Sequence, residues 1–171
     1  MAERSDLTTM RGKPLTLVGD EIKVGDMAPD FEALDEKLQP MKLSTFKGKV
    51  VVLSTVMSLD TQICDLETKE FSRELKGLNP DIEFLTISMD LPFAQRRWAT
   101  EAGVDNVRLL SDHREASFGQ KYGVLIKNMR LLARTVFVID KEGRVQYIQY
   151  VKDAAAEPDY YEVLDEVRKF L

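Results

Sequence analysis

Apolar positions follow two different periods along this chain. Residues 49–54, Lys49-Val50-Val51-Val52-Leu53-Ser54, are a short β-branched run, the pattern of a strand buried on both faces. From residue 65 to 77 the period becomes helical, and Cys64, Phe71, Leu75 and Leu78 share one face through spacings of seven, four and three. Residues 81–88 read as a second buried strand, and strand, helix, strand makes a right-handed crossover in a parallel sheet. Residues 92–103 read as a helix with Pro92 in its first turn and Gly103 at its end. Residues 107–111 are a short strand, after which Ser111 or Asp112 caps a helix through Tyr122 that Gly123 ends. Residues 134–140 and 144–150 flank Lys141-Glu142-Gly143 as an antiparallel hairpin. Residues 158–171 close the chain as a helix with Tyr161, Leu164, Val167 and Leu171 on one face.

Upstream of the first buried strand the pattern is looser. Residues 1–12 read as a flexible leader, and residues 13–171 as a single domain. Residues 14–18 and 21–24 alternate on either side of Gly19-Asp20, which predicts an N-terminal β-hairpin. A turn at Gly25-Asp26 leads to an extended segment at Ala28-Pro29, a strand pair over residues 31–41 and a helical turn over 44–48. The element order predicts an α/β fold, a mixed central β-sheet flanked by helices.

Composition narrows the function classes. With 171 residues, 44% hydrophobic and 31% charged, the chain can bury the core of one ordinary globular domain. A net charge of −5 argues against nonspecific nucleic-acid binding, which needs a basic surface. No apolar run reaches membrane-spanning length, and residues 1–10 hold no apolar signal region. A single cysteine excludes a disulfide framework and fits a reducing compartment, so a cytoplasmic location is expected.

That cysteine is also the chemical focus. Cys64 falls near a helix N-terminus at the C-terminal end of a central strand, where free backbone N–H groups and the helix dipole favour the thiolate. The plainer reading is an inert, buried small hydrophobe. Thr61, three residues earlier, lies one helical turn away, where its hydroxyl can face the sulfur and position a bound oxygen substrate. Arg134 begins a buried strand, which is costly unless it is paired or functional; an edge salt bridge is the simpler account. Glu67 and Glu70 read as a solvated helix face, and Phe93 and Trp98 as core. His113, the single histidine, reads as solvated or capping, so no metal site is expected. Lys47-Gly48-Lys49 precedes a strand and is no phosphate loop, and no cofactor is expected.

Asp60-Thr61-Gln62-Ile63-Cys64 resembles the peroxidatic loop of the peroxiredoxins, whose pattern is proline, three residues, threonine or serine, two residues, cysteine. Ser88-Met89-Asp90-Leu91-Pro92-Phe93-Ala94-Gln95, Leu132-Ala133-Arg134 and Gly12-Lys13-Pro14-Leu15-Thr16-Leu17-Val18-Gly19 are similar to the bacterial thiol peroxidase branch, and the likeness runs from about Leu7 to Leu171. It implies a thioredoxin-like fold and a thiol-dependent peroxidase acting on hydrogen peroxide and organic hydroperoxides. Cys64 would become a sulfenic acid, Thr61 and Arg134 would orient the peroxide, and Arg134 would favour the thiolate. Met57, Phe93 and Trp98 would border the substrate pocket, and the protein would be a homodimer. Two positions depart from the pattern. Met57 stands where the proline is expected, and Ala99 where most thiol peroxidases carry a resolving cysteine. With one cysteine, reduction must come from an external thiol such as thioredoxin. The alternatives are a one-cysteine redox sensor or binding module, and an engineered variant of a two-cysteine enzyme.

Overall fold

In the computed structural model, which describes residues 1–78 and 80–171, the chain opens with four two-residue strands. These are β1 (Glu3–Arg4), β2 (Thr9–Met10), β3 (Lys13–Pro14) and β4 (Leu17–Val18). The pair β5 (Glu32–Leu34) and β6 (Pro40–Lys42) follows, then a 3-10 turn at Leu43–Phe46. Next come β7 (Val50–Thr55), α1 (Gln62–Leu75), β8 (Ile82–Ser88), α2 (Pro92–Ala102) and β9 (Arg108–Ser111). The chain ends with α3 (Ser117–Lys121), β10 (Leu125–Ile126), β11 (Thr135–Ile139), β12 (Val145–Tyr150) and α4 (Tyr160–Arg168).

Among the described residues, seven strands form the main sheet in the order β12-β11-β7-β8-β9-β5-β6. β7, β8 and β9 run parallel, with α1 and α2 as crossovers, while β11 lies antiparallel to both β7 and β12. The sheet is mixed, as the pattern predicts. β7 is buried along its whole length because successive side chains enter opposite layers. Val50 and Val52, with Val136 and Val138, pack with Phe71 and Leu75 of α1 and Val163, Leu164 and Val167 of α4. Val51 and Leu53, with Leu85, Ile87 and Phe137, belong to the larger cluster, which also holds Phe31, Phe118, Tyr122 and Cys64.

The N-terminal segment departs from expectation. The hairpin forms between β2 and β3, pairing Thr9 with Pro14; residues 21–24 form no strand, and β4 pairs with β1 and β10. Residues 1–12 are tied down, not frayed. Arg4 donates to the Gly123 carbonyl at 2.7 Å, the Thr8 hydroxyl to the Val151 carbonyl at 2.8 Å, and the Thr9 amide to the Lys152 carbonyl at 2.8 Å. The partners lie more than a hundred residues away, beyond any local period.

Two helices are also corrected. α4 buries Val163, Leu164 and Val167, whereas Tyr161 is 81% exposed and Leu171 41%. The apolar stripe takes in Val163, two residues on from Tyr161, in its place. α3 is shorter than predicted because Ala116 adopts a left-handed φ of 53°, which interrupts the helix before Ser117. Asp112 still caps it, accepting the Phe118 and Gly119 amides at 3.0 and 2.8 Å.

That cap sets a pH dependence. Burial pushes the Asp112 carboxyl up from 3.8 to about 6, against the pull of the two amides and Arg130. The folded state therefore holds this proton more tightly than the unfolded chain. Its stabilising contribution is complete below pH 3.8 and is lost as pH rises through about 6. At about 1.4 kcal/mol per unit, the loss is about 3 kcal/mol. Urea unfolding of wild type and Asp112→Asn checks it: the stability difference should shift by that amount in favour of the asparagine between pH 4 and 7. A difference constant with pH would refute the assignment.

Candidate active site

α1 begins at Gln62, so Cys64 is its third residue, deeper in the first turn than a start at Asp65 implies. Thr61 is the N-cap, with extended backbone and no side-chain cap. Its hydroxyl donates to the Ser58 carbonyl at 2.8 Å and not to the sulfur. The first intrahelical bond runs from the Asp65 amide to the Thr61 carbonyl at 3.0 Å, and the amides before it have no helical acceptor upstream. Cys64 is a free thiol, fully buried, in the same apolar cluster as Met57 and Trp98.

Arg134 immediately precedes β11 and is 3% exposed. Its Nη2 donates to the Ala154 carbonyl at 2.8 Å, and its Nη1 makes a short ion pair with Glu67 Oε2. The Glu67 carboxylate also accepts the Ser54 hydroxyl at 2.8 Å. The guanidinium interacts with the Cys64 sulfur, while its Nε is buried without a hydrogen-bond partner. Burial works to lower the Arg134 pKa, but the charges of Glu67 and Cys64 outweigh it and hold the group above its ordinary value. Burial pushes the Glu67 carboxyl up, and Arg134 and Ser54 draw it back.

Glu67 is the residue that a solvated-face reading misplaces: it is fully buried. It lies three residues after Cys64 and four before Phe71, which puts it on the buried stripe. That spacing, with a buried arginine needing a counter-charge, was the available signal.

Trp98 is 8% exposed and donates its indole N–H to Asp65 Oδ1 at 2.8 Å, joining α2 to the first turn of α1 beside Cys64. Met57, 8% exposed, packs in the same cluster. Phe93 is 57% exposed and stands outside it, near in sequence to Leu91, itself 50% exposed. The structure thus gathers Cys64, Arg134, Met57 and Trp98, with Thr61 at the solvent edge, and leaves Phe93 on the surface. Ala99 lines a cleft of about 600 Å³ with Gln95, Arg108 and Leu109, and none of Cys64, Thr61 and Arg134 borders it. His113 lies at the end of β9, its amide directed at the Ser111 hydroxyl. Among the described residues, no helix is long and apolar enough to cross a membrane.

Known proteins match this arrangement over nearly the whole chain. The redoxin family profile covers residues 23–164. Thiol peroxidase from Oceanobacillus iheyensis is 50% identical over 161 residues, 94% of this chain and 98% of the relative. Thiol peroxidase from Bacillus subtilis is 51% identical over 152 residues, 89% of this chain and 90% of the relative. The crystal structure of a peroxiredoxin-like protein from Aquifex aeolicus superposes with a TM-score of 0.92 at 40% identity, covering 100% of both chains. A thiol peroxidase structure from Chromobacterium violaceum, 23% identical with a TM-score of 0.86 over 95% of each chain, shares the fold. The fold is thioredoxin-like, as the resemblance implied. A buried thiol at the head of a helix, a guanidinium beside it and these relatives together place the chain in the redoxin family, among its thiol-dependent peroxidases.

Proposed function

We propose that Cys64 is the peroxidatic nucleophile, acting on hydrogen peroxide and organic hydroperoxides. The thiolate attacks the terminal peroxide oxygen, an S–O bond forms as the O–O bond breaks, and sulfur supplies both electrons. The departing alkoxide or hydroxide takes a proton and leaves as alcohol or water. The observation that carries this reading is the buried Arg134 guanidinium, which interacts with the Cys64 sulfur and keeps its Nε–H without a hydrogen-bond partner. A peroxide oxygen supplies that acceptor, and the guanidinium stabilises charge as the O–O bond breaks. The Thr61 proton is already given to Ser58, so its oxygen can only accept, which suits the O–H of a hydroperoxide. Trp98 and Met57 form the apolar wall behind the sulfur, and the exposed Phe93, outside that wall, is the apolar surface that the second subunit of a homodimer covers.

With no second thiol in the chain, the sulfenic acid condenses with an external thiol, releasing water and leaving a mixed disulfide that a second thiol reduces. Thioredoxin or a similar cytoplasmic dithiol fits this role. Met57 in place of proline favours the second reading, a one-cysteine redox sensor with slow turnover.

Stopped-flow fluorescence tests the proposal, since Trp98 is the one tryptophan and is bonded to the residue after Cys64. Mixing reduced protein with hydrogen peroxide and then cumene hydroperoxide should give a fast phase, absent in Cys64→Ser. Intact mass should rise by roughly 16 Da, one added oxygen. Oxidation no faster than that of a free thiol would defeat the peroxidase reading and leave the sensor.

A further inference from the structure

The segment Ser88-Met89-Asp90-Leu91-Pro92-Phe93-Ala94-Gln95 has no part in the chemistry above, yet it is wired to the loop that carries it. Asp90 stands just before Leu91, the N-cap of α2, where an acid ordinarily turns toward the free helix amides. Its carboxylate turns the other way. Oδ1 accepts the Ser58 hydroxyl at 2.6 Å, and Oδ2 accepts the Leu59 amide at 2.9 Å and the Ser88 hydroxyl at 2.7 Å. Ser88 is fully buried and is fixed in turn by Gln95, 1% exposed, whose Nε2 donates to the Ser88 hydroxyl at 3.1 Å and the Leu110 carbonyl at 2.9 Å. The Ser111 hydroxyl donates to the Asp90 carbonyl. Asp90 is thus anchored to the end of β8 through its carboxylate and to the end of β9 through its carbonyl.

What it holds is Ser58. The Ser58 hydroxyl also accepts the Asp60 amide at 3.1 Å, and the Ser58 carbonyl accepts both the Thr61 amide at 3.1 Å and the Thr61 hydroxyl at 2.8 Å. The position of Ser58 therefore decides where the Thr61 proton points, and so which side of its oxygen remains open to substrate.

We infer that Asp90 is a positioning residue for peroxide reduction: through Ser58 it fixes the Thr61 hydroxyl as an acceptor facing the peroxide at Cys64. This role rests on the peroxidase reading. Without Asp90 the loop loses two of its anchors, and a misplacement of about 1 Å at the reacting atoms is enough to cost about 100-fold in rate.

The experiment compares two reactions of the same thiol. Oxidation by hydrogen peroxide needs an oriented O–O bond; alkylation by iodoacetamide does not. Asp90→Ala should slow peroxide oxidation by about 100-fold and leave alkylation nearly unchanged. Asp90→Asn, which keeps one acceptor oxygen and nearly the same volume, should lose less and guards against a folding failure in the alanine variant. In a Thr61→Val background, Asp90→Ala should add little further loss, because the two residues act on one hydrogen bond. A peroxide rate equal to wild type in both Asp90 variants would overturn the inference. So would equal losses in both reactions, or additive losses with Thr61→Val. Failure of the peroxidase reading appears separately, as a wild-type peroxide rate no faster than a free thiol's, and removes the role with it.

Discussion

Replacing Arg134 by Leu will slow oxidation of Cys64 by hydroperoxide by about 100- to 1000-fold, the loss typical of removing a donor aimed at developing negative charge. The same change will destabilise the fold by about 3–5 kcal/mol, because Glu67 is left fully buried with no counter-charge. The two effects have different origins and can be separated. In Arg134→Leu with Glu67→Leu, no buried charge remains, and an apolar pair of similar volume is often as stable as the ion pair it replaces. The double variant should regain most of the lost stability and none of the lost rate. Urea unfolding and peroxide stopped-flow on the wild type, the single variant and the double variant decide the matter. A double variant that recovers both properties would reduce Arg134 to a structural partner of Glu67. Lysine is no substitute, since one ammonium cannot reach Glu67, the Ala154 carbonyl and a peroxide together.

The stability loss in Arg134→Leu carries a pH signature. Burial already pushes the Glu67 carboxyl up, and Arg134 is the first of the groups that pull it back. Without Arg134 the folded state prefers a protonated Glu67 still more, while the unfolded chain titrates at the ordinary carboxylate value. The folded pKa then lies above the unfolded one, so the stability is present below the unfolded value and is lost as pH rises through the folded value. The single variant should therefore come closer to wild type at acid pH than at neutral pH.

What the sequence made legible follows from the range of the forces involved. β7, β8 and the β11–β12 hairpin could be read directly, because a two-faced apolar run or a Gly-containing turn between alternating strands determines its own local structure. Cys64 was legible for the same reason, since the strand before it and the helix after it place it at a helix start. Arg134 stood out as a charge in an apolar run, but its partner did not. A glutamate on a helix looks solvated until the spacing from Cys64 to Phe71 is set against the need of a buried guanidinium. Thr61 could be read as one helical turn before Cys64, but which acceptor takes its proton depends on Ser58 and Asp90. That orientation is held by a segment nearly thirty residues further along the chain.

Gly19 is the clearest case of a residue read by the wrong rule, and it gives the second large effect. Beside Asp20 and between alternating stretches it looked like a hairpin turn, yet it is a point of close approach between backbones. A Cβ there would lie 2.2 Å from the Gln120 carbonyl oxygen of α3, the atom that also accepts the Asp20 amide at 2.9 Å. Its φ of +121° is in addition one that side-chain-bearing residues rarely adopt. Gly19→Ala must therefore both strain the backbone and push the N-terminal segment off α3, for a loss of about 4 kcal/mol. Gly12 is the matched control. It has φ +79° with nothing within 4 Å of a built Cβ, so Gly12→Ala meets strain alone and should cost about 1 kcal/mol. At roughly 2–4 °C per kcal/mol for a chain of this size, the melting temperatures should fall by about 8–16 °C and about 2–4 °C respectively. The peroxide rate constant of the folded protein should stay unchanged in both, because neither glycine bonds to Glu67, the Ala154 carbonyl, Ser58 or Asp90, the groups that hold Arg134 and Thr61. Equal losses in the two variants would mean that the contact with Gln120 relaxes at little cost, and that Gly19 is needed only for its backbone angle.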